Sequence, residues 1–176
     1  MLERTVGLKT DKAHAELKTT LIHKGCYITA EQAPTFISVK QGSIWGISPR
    51  TAKKIMTYRL APVDSGTRIT YSSSLASDWK NLTIIGTALA VFVAFMCLWI
   101  AIDLDSSIVT GQRSYWSWIA TVESGYIDFS IAQIFAGITR TFTAILAISI
   151  IVEAVIAIYT YFRINALAEE TLSELR

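Results

Sequence analysis

The chain has 176 residues, 52% of them hydrophobic and 17% charged, with a mean hydropathy of +0.42, too little charge for an ordinary soluble domain of this length. Its net charge of +2 averages two unlike halves: residues 1–80 hold twelve Lys or Arg against six Asp or Glu, and the remainder four against eight. A basic domain followed by an acidic, apolar remainder is implied, and two cysteines, Cys26 and Cys97, exclude a disulfide framework.

The polar start, Met1 to Leu17, lacks the apolar stretch of a signal peptide. Arg4 to Lys9 reads as a short strand. Thr10 and Asp11 offer caps for a helix that runs to about Lys24 and stops at Gly25, with Ala13, Leu17 and Leu21 as its apolar stripe. Tyr27 to Glu31 and Thr35 to Gln41 are strand-like, separated by Pro34. Lys53 to Val63 and Thr67 to Leu75 flank Asp64-Ser65-Gly66, a hairpin signal, and Met56, Tyr58 and Leu60 alternate against Ile69 and Tyr71. The order β-α-β-β-β-β predicts an α+β domain, an antiparallel sheet with a helix on one face, over residues 1–78. Such a domain is expected to fold alone. The hairpin Tyr58 to Tyr71, with its Asp-Ser-Gly-Thr-Arg turn, resembles one common in START-like helix-grip domains. The chain is too short before its first apolar run for the full helix-grip fold, so no ligand cavity is carried over from it.

Lys40, Arg50, Lys53, Lys54, Arg59 and Arg68 surround the segment Gly42 to Pro49, which contains Ile44 and Trp45. Near an inner leaflet these cations would be drawn to anionic headgroups while Trp45 dips into the interface. The plainer alternative is a solvated strand connection whose charges serve topology only. Nucleic acid is not an expected partner, because no motif for it is present.

Leu82 to Ile102 carries no charge and is long enough to cross a bilayer as a helix, so residues 79–103 are read as the first transmembrane helix. Residues 104–126 follow as an external loop. Ile127, Ile131, Ile134, Phe135 and Ile138 recur at helical spacing, which predicts an amphipathic interfacial helix over 127–140. A second span is expected over 141–162; one long tilted helix through both pieces is the alternative. Residues 163–176 form a helical tail whose Leu167, Leu172 and Leu175 leave an apolar edge for the domain. Positive charge crowds before the first span and is sparse in the loop. The expected location is the cell membrane, multi-pass, with both termini cytoplasmic.

Within the spans, Glu153 is the candidate intramembrane polar site, with Ser149 on its side of the helix and Thr87 as a possible neighbour across an antiparallel pair. Gly86, Ala90 and Ala94 recur every four residues and suit close helix packing, within the chain or between copies. A protonated or hydrogen-bonded acid that fixes helix pairing would look the same as an ion site. No catalytic motif is recognisable. His14 and His23 point to opposite faces of one helix, and His23 with Cys26 supplies too few ligands for a structural zinc. No cofactor or metal is expected. The leading expectation is a membrane-anchored, non-enzymatic binding module, with the bilayer and its anionic headgroups, a protein or a second copy as partner. The alternative is an accessory subunit of a larger membrane complex or transporter, associating through the Gly86 seam and Glu153.

Overall fold

The computed structural model describes residues 2–123 and 125–175. It divides into two compact units, Met1–Thr83 with Val155–Arg176, and Ile84–Ala154. The first unit is α+β. Strands β1 (Leu2–Val6), β2 (Tyr27–Gln32), β3 (Phe36–Gln41), β4 (Lys54–Val63) and β5 (Gly66–Leu75) form one antiparallel sheet in the order β1-β5-β4-β3-β2, and helix α1 (Thr10–His23) lies between β1 and β2 in sequence. Alternation sets the register. Val39 pairs with Met56, Ile37 with Tyr58, Tyr58 with Tyr71 and Leu60 with Ile69, so one face of the sheet is apolar. Ala13, Leu17 and Leu21 of α1 are fully buried against that face. Neither Thr10 nor Asp11 caps α1 as expected: Lys9 occupies the cap position without a side-chain bond. Thr10 is already helical, and its hydroxyl instead accepts from Thr67 Oγ1 at 3.3 Å.

A bulge in β2 between Ile28 and Ala30 shifts Glu31 onto the helix side of the sheet. There it accepts from Lys18 Nζ at 2.9 and 3.0 Å, and lies 3.7 Å from Nε2 of buried His14.

The core of this unit is not confined to residues 1–78. Helix α4 (Ala166–Glu174) packs its apolar edge into it, with Leu167, Ala168, Leu172 and Leu175 buried beside α1 and the sheet. Two basic residues flank the contact. Lys24 Nζ donates to Glu170 at 3.0 Å and Glu174 at 2.8 Å, and Arg50 Nη2 to Glu170 at 3.0 Å. Burial alone would lower the Lys24 pKa, but its bonds to Glu174 and Glu170 outweigh that and raise it; Glu170 is correspondingly held below the usual carboxylate range, by Lys24 first.

Two long helices complete the chain, α2 (Ser77–Thr110) and α3 (Phe129–Phe162). Their most apolar windows reach mean hydropathies of 2.5 and 2.4, with only 6% and 0% of those residues buried. By length and composition both can cross a membrane. Each exceeds the segment expected of it. Helix α2 continues past Asp103 to Thr110 because that carboxylate accepts from Ser114 Oγ and from the Trp116 amide at 2.7 Å, so the charge serves the connection instead of ending the helix. One uninterrupted helix runs over Phe129–Phe162, as in the alternative of a single helix through both pieces, and residues 127 and 128 precede it. Asp128 caps its start, accepting from the Ser130 amide at 2.9 Å and the Ile131 amide at 3.2 Å, and Arg140 pairs with Asp105. Within the second unit Leu104, Ala120, Ala132 and Ala136 form a small core, with Trp116 and Ile131 packed against it.

Candidate functional site

The basic cluster expected around Gly42 to Pro49 separates into three places. Its centre is the β3–β4 connection, a tightly built loop. The Ser43 amide donates to Thr51 O at 2.8 Å, the Lys53 amide to Ser43 O at 3.0 Å, and the Ala52 amide to Ser48 O at 2.8 Å. Two glycines are required here. Gly42 has φ +89°, and a Cβ at Gly46 would fall inside contact distance of the Thr51 carbonyl. Trp79, in the first turn of α2, donates its indole N–H to Gly46 O at 2.9 Å and packs with Ala52, Leu75, Ala157 and Ile164. The loop is therefore fixed three residues before Leu82, where the uncharged run begins, and it holds Trp45 and Ile47 outward at 75% and 70% exposure. Trp45 is thus a solvent-facing side chain of a fixed loop.

Lys54 does not belong to the surface patch. Its side chain is buried, 1% exposed, and its ammonium donates to the Pro49 carbonyl. Burial lowers its pKa, and burial raises that of the neighbouring Cys26 thiol. Arg50 and Lys53 are engaged by Glu170 and Asp78.

Lys40, Arg59 and Arg68 share the second face of the sheet, opposite the core, spread along its strands. Arg59 pairs in register with Phe36 and Thr70, and Lys40 with Tyr27 and Ile55. Between these rows runs a hydroxyl ladder: Thr29 Oγ1 donates to Ser38 Oγ at 3.1 Å, and Thr57 and Ser72 share a bond of 2.7 Å. This face presents Tyr27 at 79% exposure, hydroxyls and three cations. It can take acidic or aromatic groups.

Tyr58, fully buried, has its phenol pKa pushed well above the ordinary 10, chiefly by burial. In the folded state it stays protonated while the unfolded chain loses that proton above pH 10. The unfolded state then binds fewer protons, so stability must fall as pH rises through this range. We expect wild type to lose up to about 1.4 kcal/mol per pH unit above pH 10 from this residue, and Tyr58→Phe to flatten that limb in urea titrations of the alkaline range.

Among the intramembrane candidates, Glu153 and Thr87 are half-buried, while Ser149 is exposed and donates to Ile145 O of its own helix at 2.9 Å. Ala90 and Ala94 are half-buried and Gly86 is exposed; a Cβ at Gly86 would meet nothing within 4 Å. Among the described residues, no group of three or more His, Cys, Asp or Glu is placed to hold a metal. Sequence reasoning missed a pocket of about 540 Å³ lined by Ser73, Ser74, Lys80, Tyr161 and Asn165. These residues come from β5, α2, α3 and the α3–α4 turn, so no spacing in the sequence joins them. Comparison with protein-family models, curated proteins and solved structures finds nothing that matches this chain.

Proposed function

We propose that this chain is a membrane-anchored binding module without catalysis of its own, its α+β domain cytoplasmic and α2 and α3 crossing the bilayer. One observation carries the reading. Both long helices are apolar on nearly every side yet almost unburied, which water does not tolerate and lipid does. The domain's exposed sheet face, with Lys40, Arg59 and Arg68, is the surface offered to an acidic partner.

The orientation is tested with single cysteines in a Cys26→Ala, Cys97→Ala background. An impermeant maleimide should label Gln112→Cys on intact cells and Ser65→Cys only after permeabilisation; both positions are exposed. The reverse pattern overturns the orientation, and labelling of both on intact cells overturns the anchoring.

A second reading, an accessory subunit of a larger membrane complex, is favoured by the open space over Gly86. A small-residue seam whose Gly86 meets no described residue within 4 Å suits a helix from another chain, with Glu153 as a polar contact. Native-detergent mass measurement separates the readings: a stable larger assembly favours the second, a monomer the first.

A further inference from the structure

We propose that residues 114–122, between the two long helices, dip into the outer headgroup boundary of the bilayer and anchor there through Tyr115 and Trp118. The inference rests on the membrane reading, and it replaces a free external loop with a lipid-docked one. The stretch carries no charge between Arg113 and Glu123 and holds three aromatic residues. Its height is set by contacts to α2. Trp99 lies three residues before Ile102, where the uncharged run ends, hence about 4.5 Å inside it. The Tyr115 ring stacks on Trp99 with centroids 5.2 Å apart, and Trp116 meets these two rings edge-on at 5.5 and 5.2 Å. Thr110, the end of α2, lies seven residues and about 10 Å beyond Asp103. Just past it, Arg113 donates to the Gly125 carbonyl, and Gly111, Arg113 and Gly125 line one cleft. The chain therefore descends from Gly111 to the level of Trp99 and climbs again to Gly125.

The backbone of the dip is satisfied from within. The Trp116 amide donates to Asp103 Oδ2 at 2.7 Å, that of Ser114 to Ser117 Oγ at 3.1 Å, and those of Ile119 and Thr121 to Trp116 O and Trp118 O at 3.1 and 3.2 Å. A segment that leaves water needs such closure. Its side chains divide between two surroundings. Ala120 and Trp116 pack with Leu104, whereas Tyr115 and Trp118 stay 68% and 64% exposed. The exposed rings continue the apolar side of α2, where Phe95, one turn below Trp99, is also exposed. A phenol and an indole, apolar in body with a polar tip, are the side chains that gain most from the membrane boundary. Held at the depth of Trp99, they meet lipid before any water-soluble partner.

The test uses the full chain in phosphatidylcholine vesicles, with nitroxides on single cysteines in a Cys26→Ala, Cys97→Ala background. Power-saturation EPR compares the access of oxygen, which concentrates in lipid, with that of a water-soluble nickel chelate. Labels at Tyr115→Cys and Trp118→Cys should favour oxygen, with an oxygen-to-chelate ratio severalfold above that at Gln112→Cys and Glu123→Cys. Both ring positions are exposed, so neither change opens the core. A ratio at either ring position equal to that at Gln112 and Glu123 places the stretch in water and overturns the proposal. Low access to both reagents shows a second copy or another protein over the rings, and overturns it too. Leu89→Cys, at an exposed position in α2, tests the span by itself. If the Leu89 label favours the chelate, the membrane reading falls and the proposal with it. If that label favours oxygen while those at Tyr115 and Trp118 do not, only the docking of residues 114–122 fails.

Discussion

A fragment ending at residue 78 will fail to give a folded domain, whereas the same fragment joined through a flexible linker to residues 163–176 will fold. The shorter piece keeps the sheet and α1 but uncovers the apolar surface on which Leu167, Ala168, Leu172 and Leu175 lie. Fully burying a leucine contributes about 1.5–3 kcal/mol, and small domains have total stabilities of only about 5–15 kcal/mol. Three leucines are therefore a large share of what a unit this small can hold in reserve. In the linked fragment Leu172→Ala should cost about 2–5 kcal/mol, since the side chain is fully buried and the site has little room to collapse. Dispersion of amide NMR signals and urea midpoints check both results. A well-dispersed spectrum from the short fragment, with the midpoint of the linked one, would show α4 to be dispensable.

Gly46→Ala should be a strongly damaging change in the first unit. The added carbon would sit against the Thr51 carbonyl, which is main chain and held by its bond from the Ser43 amide, so neither side can yield cheaply. Relief requires the loop to move, and moving it breaks the Trp79 indole bond to Gly46 O. We expect a loss of about 3 kcal/mol or more. Gly7→Ala is the control: nothing lies within 4 Å of its Cβ position, and no positive φ is required there. Thermal unfolding of the two variants should differ by several degrees. If Gly46→Ala melts with Gly7→Ala, the loop is looser than its hydrogen bonds imply.

The five strands and α1 were legible to within a few residues because their signal is local. Met56, Tyr58 and Leu60 alternate, Gly66 follows a turn pair, and Gly25 stops a helix; each fact lies within one element. What depends on a distant partner was not legible. Lys54 looked like its neighbours Lys53 and Arg50, and only the Pro49 carbonyl folded over it makes burial tolerable. Asp103, Asp105 and Arg140 looked like boundaries of apolar segments, whereas each is met by a group elsewhere in the chain and the helices run on through them. The apolar edge of the tail was visible, but not that it completes the core. Ser73, Lys80 and Asn165 share a wall only because the sheet and the helices bring them there.

The return of α4 to the sheet has a consequence for biosynthesis. During translation the strands and α1 leave the ribosome first, then both long apolar helices, and α4 only after them. On the proposed membrane reading, the growing chain would hold an unfinished domain with an exposed apolar patch for as long as its helices are being inserted. Completion of the domain would then report that α3 has been made and that its far end has reached the side where the sheet waits. A misinserted hairpin would leave α4 across the bilayer from its seat, and the half-built sheet would be open to chaperones or proteases.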